Sequence, residues 1–197
     1  MAKESTLKNM VTTLSVITLI SSALMGGAYV LTKEPIDNAF AQKTNSAISA
    51  VAPKFDNDPS SEAFTMELSG KGYKVYPAKM GGELVGYAIE SFSSGFGGRL
   101  SLMVGFNIDG SINSISVLGH SETPGLGDKI EPGKSGFGVQ FQGKNPQDFK
   151  MVVKKDGGDV DAITASTITS RAYCDAVNTA WEIFKLCIEN QTQGGAQ

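Results

Sequence analysis

The chain has 197 residues, of which 41% are hydrophobic and 19% are charged, a balance that predicts one folded domain of ordinary size with a smaller appendage. The formal net charge is −3, and the sequence has no block of lysine and arginine that would neutralise phosphates, so we expect no nucleic-acid binding. His120, Cys174 and Cys187 are too few to build a zinc or iron–sulfur site, which needs about four nitrogen or sulfur ligands. Any demanding chemistry would therefore have to come from a bound cofactor.

The first predicted element is an uncharged apolar segment between Lys8 and Lys33. A helix that crosses a bilayer needs about 20 mostly apolar residues, and we predict a transmembrane helix over residues 10–32 after a short N-terminus, residues 1–9. The alternative is a cleaved signal peptide with Ala39–Ala41 as the cleavage site, but its apolar core would span only about 7–15 residues. Lysines on both sides leave the orientation open.

Pro35 is expected to end this helix, because a proline disrupts a helix interior. Residues 33–61 are polar and rich in alanine and serine, which predicts a linker that can be helical between Ala39 and Ala50.

Strand-like runs, of which the first and last alternate and the second is richer in apolar residues, predict four strands in the next part of the chain. These runs are Gly72–Tyr76, Leu84–Glu90, Leu100–Phe106 and Ile112–Leu118. Asp109 and Gly110 form a strong hairpin-turn signal between the last two. Ser121–Lys144 is crowded with glycine and proline, and such a long irregular segment is usually functional or mobile. A further strand is predicted at Phe149–Val153.

The last predicted element is an amphipathic helix. Apolar residues recur at three- and four-residue spacing from Ala172 to Cys187, with Thr169 or Ser170 as the predicted N-cap. Thirteen residues of helix would separate the two cysteines by about 20 Å, which excludes an intrachain disulfide. Strands followed and preceded by helices predict an α+β domain around an antiparallel sheet over residues 62–190, with residues 191–197 as a disordered tail.

Hydroxyl side chains crowd the entrance to this last helix. They belong to Thr164, Ser166, Thr167, Thr169 and Ser170. A helix N-terminus offers unpaired N–H groups and a positive dipole end, which suits a phosphate. A capped turn without any ligand would explain the same residues.

The segment Asp161-x-x-Thr164-Ala165-Ser166-Thr167 resembles the flavinylation motif of the FMN-binding domain family, whose usual form is Asp-x-x-Ser/Thr-Gly-Ala-Thr. In that family the final threonine esterifies the phosphate of FMN, which implies a covalent phosphoester at Thr167. Ala165 and Ser166 replace the usual glycine and alanine, and both residues are small enough to let a ligand approach closely.

A second block, His120–Ile130, contains the segment Glu122–Gly127, which resembles a segment of the G subunit of the Rnf complex and of the related C subunit of the sodium-translocating NADH:quinone reductase. The hairpin Phe106–Leu118 and the run Gly157–Ile163 are similar to the same G subunit. The short length of this chain favours the G subunit over the C subunit.

The resemblance implies a set of cofactor-binding residues besides Thr167. Hydroxyls near the phosphate belong to Thr164, Ser166, Thr169 and Ser170, and the loop expected to pack on the isoalloxazine or ribityl chain contributes Glu122, Thr123, Gly125, Leu126 and Gly127. Lys129 would compensate negative charge, or is a plain surface lysine. His120 would donate a proton to the flavin, or is a structural histidine at a strand end.

The function that the resemblance implies is that of an electron-carrier subunit. Such a subunit serves a membrane complex that couples ferredoxin:NAD+ redox chemistry to Na+ or H+ translocation, and its FMN domain lies on the extracytoplasmic side of the cytoplasmic (inner) membrane. The implied partners are the other membrane and peripheral subunits and a flavin transferase for maturation. Three alternatives remain: a C-type subunit of a sodium-translocating NADH:quinone reductase, a sensory membrane protein with the same domain, and a scaffold protein without flavin.

Overall fold

The computed structural model describes residues 6–194, with side chains up to Gln191. The chain divides into two compact units, one up to Lys43 and one from Thr44 onward, and each is described by itself. The predicted N-terminus and tail fall partly on residues 1–5 and 195–197, which lie outside the described residues.

The first element is a long helix, α1, at Leu7–Val51. Within residues 6–194, α1 is the one helix long and apolar enough to cross a membrane, a test that signal sequences near the N-terminus also pass. Large apolar side chains such as Leu14, Leu24 and Leu31 are exposed in the first unit, which agrees with the prediction of an apolar N-terminal helix.

The prediction that Pro35 ends this helix is wrong, because α1 continues through Pro35 to Val51. The helical stretch predicted after Ala39 is confirmed. An interior proline removes a backbone hydrogen bond and costs about 3 kcal/mol, whereas the last two turns gain the burial of Ala47, Ile48 and Val51. Tertiary packing at the end of α1 therefore supports the helix beyond the proline.

The second unit is built on a five-stranded antiparallel sheet in the order β1-β2-β3-β4-β5. The strands are β1 Phe64–Leu68, β2 Lys71–Met80, β3 Glu83–Ser94, β4 Arg99–Asn107 and β5 Ile112–Gly119. The four predicted strands and the hairpin turn at Gly110, where φ is +83°, are confirmed. β1 was missed because it is a short edge strand of largely exposed residues.

The strand predicted at Phe149–Val153 is wrong, because Val153 makes only one isolated parallel bridge, to Val160. Met151 and Val153 belong to a loop and are buried in the core. The segment between β5 and the last helix is otherwise irregular, as predicted, with three short 3-10 turns at Gly127–Ile130, Phe137–Phe141 and Lys154–Asp156.

Both faces of the sheet are covered. The last helix, α2, spans Thr167–Gly194 and packs on β3 and β4. Leu102, Val104 and Phe106 alternate along β4 toward this helix, while Met103 points to the opposite face, where the end of α1 packs. The sheet therefore forms the middle layer of three, and the core lies mainly between the sheet and α2.

Helix α2 differs from its prediction at both ends. It begins at Thr167, so Thr169 and Ser170 lie inside its first turn and the predicted N-cap is wrong, and it continues to Gly194, beyond the boundary expected at residue 190. Cys174 and Cys187 are free and buried, as predicted. Burial raises the pKa of each thiol to about 12, which suppresses thiolate formation at neutral pH.

Candidate functional site

The entrance to α2 is set by a tight turn. The Ser166 N–H donates to the Ile163 carbonyl at 3.0 Å, and Ala165, at the third position of the turn, has a φ of +63°. Left-handed backbone favours glycine, because a Cβ crowds the following carbonyl at a cost of about 1–2 kcal/mol. The turn thus holds a strained alanine directly before the residues that begin the helix.

The Ser170 hydroxyl makes both of its hydrogen bonds to the backbone of this turn. Its hydroxyl donates to the Ser166 carbonyl at 3.0 Å and accepts the Ile163 N–H at 3.0 Å. The Ser170 N–H also bonds the Ser166 carbonyl at 3.0 Å, which is the first helical hydrogen bond of α2. The earlier N–H groups of a helix lack intrahelical partners, so the first turn of α2 presents donors and a positive dipole end.

Glu122 joins three segments around the entrance. Its buried carboxylate accepts a hydrogen bond from the Thr169 hydroxyl at 2.6 Å and from the Gly97 N–H at 3.3 Å. Gly127 packs so closely that an added Cβ would lie 2.6 Å from Glu122 Oε2 and 2.8 Å from the Thr169 hydroxyl oxygen. The carboxylate therefore links α2 to the β3–β4 loop. Residues 120–131, the block after β5, pack around this carboxylate.

His120 stabilises the backbone of this block through a hydrogen bond. Its Nδ1 accepts the Glu122 N–H at 3.1 Å, and its Nε2 lies 2.8 Å from Glu131 Oε1. Because Nδ1 is an acceptor, Nε2 must carry the proton and donate to the carboxylate. Both ring nitrogens are thus engaged at the end of β5, which supports the structural alternative for His120.

An ion-pair cluster extends from this histidine. Lys134 Nζ lies 3.0 Å from Asp128 Oδ2 and 2.8 Å from Glu131 Oε2. The Gly125 N–H and the Lys134 ammonium hold the pKa of Asp128 below its usual range. Lys134, and then His120, lower the pKa of Glu131 in the same way. The block that follows β5 is therefore held together largely by its own polar contacts, although Asp128 Oδ1 is buried without a hydrogen-bond partner.

A cleft of about 360 Å³ opens between this block, the β3–β4 loop and the start of α2. Its lining consists of Phe96, Glu122, Thr123, Leu126, Gly127, Ala165, Ser166, Thr167, Ile168 and Thr169. Seven of these are among the eleven cofactor-binding residues predicted from the sequence. Within the described part of the chain, the hydroxyls of Thr123, Ser166 and Thr167 make no hydrogen bond, so they are available to a ligand.

The remaining four predicted residues lie elsewhere. Thr164 and Lys129 line a separate, more open cleft of about 460 Å³. Gly125 lines neither cleft and has a φ of +77°, while Ser170 lies fully buried beneath the turn. The two motifs thus lie side by side in the structure, but the sequence did not separate residues that face the cleft from residues that shape it.

Two lining residues were not expected from the sequence: Phe96 and Ile168. Phe96 and Ile168 are 69% and 50% exposed, and together with Leu126, at 42%, they form an apolar rim. The signal for Phe96 was present in Gly95-Phe-Gly-Gly98, where one aromatic residue stands among glycines. For Ile168 no signal distinguished it from the apolar residues that α2 buries.

The cleft fits a ligand that combines a flat apolar ring system with an anionic end. Its volume falls in the usual range of ligand sites, about 300–1,000 Å³. The apolar rim suits a ring system, and the N–H groups of α2 suit a phosphate. No cluster of three or more His, Cys, Asp or Glu side chains in residues 6–194 is arranged to hold a metal ion.

Comparison with known proteins agrees with this chemistry. The model of the FMN-binding domain family matches residues 95–182. The G subunit of the ion-translocating oxidoreductase complex of Aliivibrio fischeri is 33% identical over 192 residues, covering 92% of this chain and 91% of that protein. Its counterpart in Stutzerimonas stutzeri is 37% identical over 174 residues, covering 85% and 75%. A crystal structure of the C subunit of the Na+-translocating NADH-quinone reductase of Parabacteroides distasonis is 22% identical, with a TM-score of 0.48 over 71% of this chain and 79% of that one.

Proposed function

The chain belongs to the G-subunit family of ion-translocating oxidoreductase complexes and contains an FMN-binding domain, and we propose that it relays electrons in such a complex through an FMN bound covalently to Thr167. The observation that carries this proposal is the position of Thr167. It lies on the first turn of α2, it lines the cleft, and its hydroxyl has no hydrogen-bond partner in residues 6–194.

The bond proposed is a phosphoester between Thr167 Oγ1 and the phosphorus of FMN. Nearby N–H groups of the α2 terminus would meet the phosphate charge, and the Ser166 hydroxyl lies beside them. Thr123, Leu126 and Gly127 would hold the remainder of the cofactor across the cleft. FMN supplies the ability to accept and release electrons, which no side chain of this chain provides.

The other predicted residues receive different roles in this proposal. Glu122, Thr169 and Ser170 maintain the shape of the cleft through the hydrogen bonds described above. Thr164 and Lys129 lie in the neighbouring cleft, where the lysine would act on the phosphate only through its longer-range charge.

The setting proposed for this chain is the cytoplasmic membrane. Residues 10–32 of α1 would cross it once, and the FMN-binding domain would lie on the extracytoplasmic side, where a covalent bond prevents loss of the cofactor. The partners would be the other subunits of the complex, with ferredoxin:NAD+ redox chemistry coupled to Na+ or H+ translocation. A separate flavin transferase would attach the FMN.

The proposal is tested by a denaturing gel of the purified chain viewed under ultraviolet light, from cells that make the transferase. We expect a fluorescent band, and a Thr167 peptide heavier by one FMN less one water. Thr167→Ala should be dark yet folded. Thr65→Ala, which removes an exposed threonine hydroxyl on β1 outside both motifs, is the matched control and should fluoresce.

A dark, unmodified wild-type chain would contradict the proposal and would favour a scaffold role without flavin. If the modified peptide did not contain Thr167, the FMN would have to be assigned to another hydroxyl.

A further inference from the structure

The loop between β3 and β4 exposes one aromatic side chain. Phe96 is 69% exposed, and none of the ring contacts in the described part of the chain involves it. Its ring borders the same cleft as Thr167. A single exposed apolar residue is common on protein surfaces and needs no explanation. What distinguishes Phe96 is the way its loop is built.

The loop is packed closely on the block after β5. An added Cβ on Gly97 would lie 1.8 Å from the Ser121 carbonyl oxygen, and one on Gly95 would lie 2.0 Å from Glu122 Oε1. The Gly95 N–H also bonds the Gly98 carbonyl at 2.7 Å. Glycines on both sides of the phenylalanine therefore allow a close approach of backbone to backbone. The loop is held in place while it displays a ring.

One carboxylate fixes both the aromatic loop and the start of α2. Glu122 accepts the Gly97 N–H through Oε1 and the Thr169 hydroxyl through Oε2. Gly97 follows Phe96 directly, and Thr169 lies two residues beyond Thr167. The position of the ring relative to the attachment residue is thus set by a single buried group, which is what a site for a flat ligand requires.

We propose that Phe96 is a cofactor-contact residue whose ring packs against the isoalloxazine ring of the FMN, an inference that rests on the proposed attachment at Thr167. Phe96 is the one aromatic residue in the lining of the cleft. Aromatic rings favour offset-stacked or edge-to-face contact with other ring systems, and phenylalanine brings no polar group that would need a partner. The glycines beside it keep the loop close enough to the cleft for that contact.

The test compares two tryptophan variants of the full chain carrying covalent flavin. Phe96→Trp would place an indole against the flavin, and contact with an indole quenches flavin fluorescence. Ile108→Trp is the matched control, because Ile108 is also exposed but follows the far end of β4, about 30 Å along the strand from the Phe96 loop. Fluorescence is expressed per covalently bound flavin, measured by absorbance after denaturation.

We expect the flavin emission of Phe96→Trp to fall severalfold, with a shorter lifetime, while Ile108→Trp keeps the wild-type emission. Equal emission from both variants at equal flavin content would overturn the proposal. If the indole hinders attachment, Phe96→Ala carries the test, and we expect iodide to quench its flavin severalfold more strongly than in wild type. Unchanged iodide quenching would then overturn it. A wild-type chain without covalent flavin would refute the attachment itself and not the contact.

Discussion

Two short blocks of the chain form opposite sides of the cleft, and they differ in how their polar groups are used. In residues 120–131 the side chains of His120, Glu122 and Glu131 all have partners within the protein. In residues 164–168 the hydroxyls of Ser166 and Thr167 have none within the described chain. The first block uses most of its polar groups to hold a shape, with the Thr123 hydroxyl as an exception, whereas the second block leaves two neighbouring hydroxyls without a partner in residues 6–194.

The difference between the blocks shows that a family motif mixes two kinds of residue. A hydroxyl that lines an open cleft without a protein partner can bond to water, and it is also free to bond to a ligand. Glu122 and Thr167 both belong to motifs that resemble the flavin-binding family, yet only the second has a free nucleophilic oxygen. The following predictions probe this division by removing support from one block at a time.

The largest loss of stability is expected for Glu122→Ala. The change leaves the Gly97 N–H and the buried Thr169 hydroxyl without their acceptor, at a cost of about 2–4 kcal/mol in the free energy of unfolding. Urea unfolding followed by the fluorescence of the buried Trp181 would measure it. Glu83→Ala removes an exposed carboxylate at the start of β3 and is the matched control. Equal midpoints for the two variants would contradict the role given to Glu122.

Gly127→Ala should disturb the same contact by crowding it. Its Cβ would meet Glu122 Oε2 at 2.6 Å and the Thr169 hydroxyl at 2.8 Å, and overpacking of this kind costs about 1–3 kcal/mol. The control is Gly133→Ala, where a Cβ meets nothing within 4 Å. The same urea unfolding assay applies. An equally large loss of stability in the control would show that crowding around Gly127 is not the cause of the destabilisation.

Thr169→Val is expected to cost about 1 kcal/mol, because it removes one buried hydrogen bond and keeps the side-chain shape. Thr164→Val changes an exposed threonine and should be nearly neutral. Similar midpoint shifts for both variants would show that the two hydroxyls are not used differently.

Ala165→Gly should act in the opposite direction. It relieves a backbone φ of +63°, and part of the gain is offset by the greater freedom of glycine in the unfolded chain, which leaves about 0.5 kcal/mol of stabilisation. Ala165→Val should destabilise the protein, since a β-branched residue fits left-handed backbone poorly. A destabilised glycine variant would indicate that the strain is absent.

The smallest change in stability is expected when the pH is lowered. The pKa values of Asp128 and Glu131 are lower in the folded protein than their usual values of about 4. Their contribution is therefore present above about pH 4 to 5 and is lost as the pH falls through the lowered folded values. Lys134→Met should reduce this acid dependence of the urea midpoint, and an unchanged slope below pH 4 would contradict the role of the cluster.

The sequence predicted those features that depend on local pattern. Short strand-like runs, alternating in β2 and β5 and more continuously apolar in β3, identified β2 to β5. Helical spacing identified α2, because that helix buries one apolar face. The short edge strand β1 carries no such pattern. The passage of α1 through Pro35 depends on burial of residues far along the chain, and local propensity cannot include that burial.

The candidate site shows the same limit. The two motifs identified the neighbourhood of Thr167, since their residue types are specific. Whether Thr169 or Ser170 reaches the cleft depends on the turn that starts α2 at Thr167. Thr169 lines the cleft as expected, but Ser170 lies buried beneath the turn. The glycines around Phe96 mark its loop in the sequence, but the packing of that loop on Ser121 and Glu122 becomes visible only in the fold.

The end of α1 has a practical consequence for anyone who isolates the flavin domain. Asn113 Nδ2 donates to the carbonyl oxygens of Val51 and Ala52 at 2.8 and 3.1 Å, and an added Cβ on Gly105 would lie 1.8 Å from the same Val51 oxygen. A fragment that starts at residue 62 would lack the end of α1. The apolar side chains of Tyr76 and Met103 would then be exposed to solvent, which favours aggregation. A fragment that begins just before Thr44 keeps the end of α1 packed on the sheet.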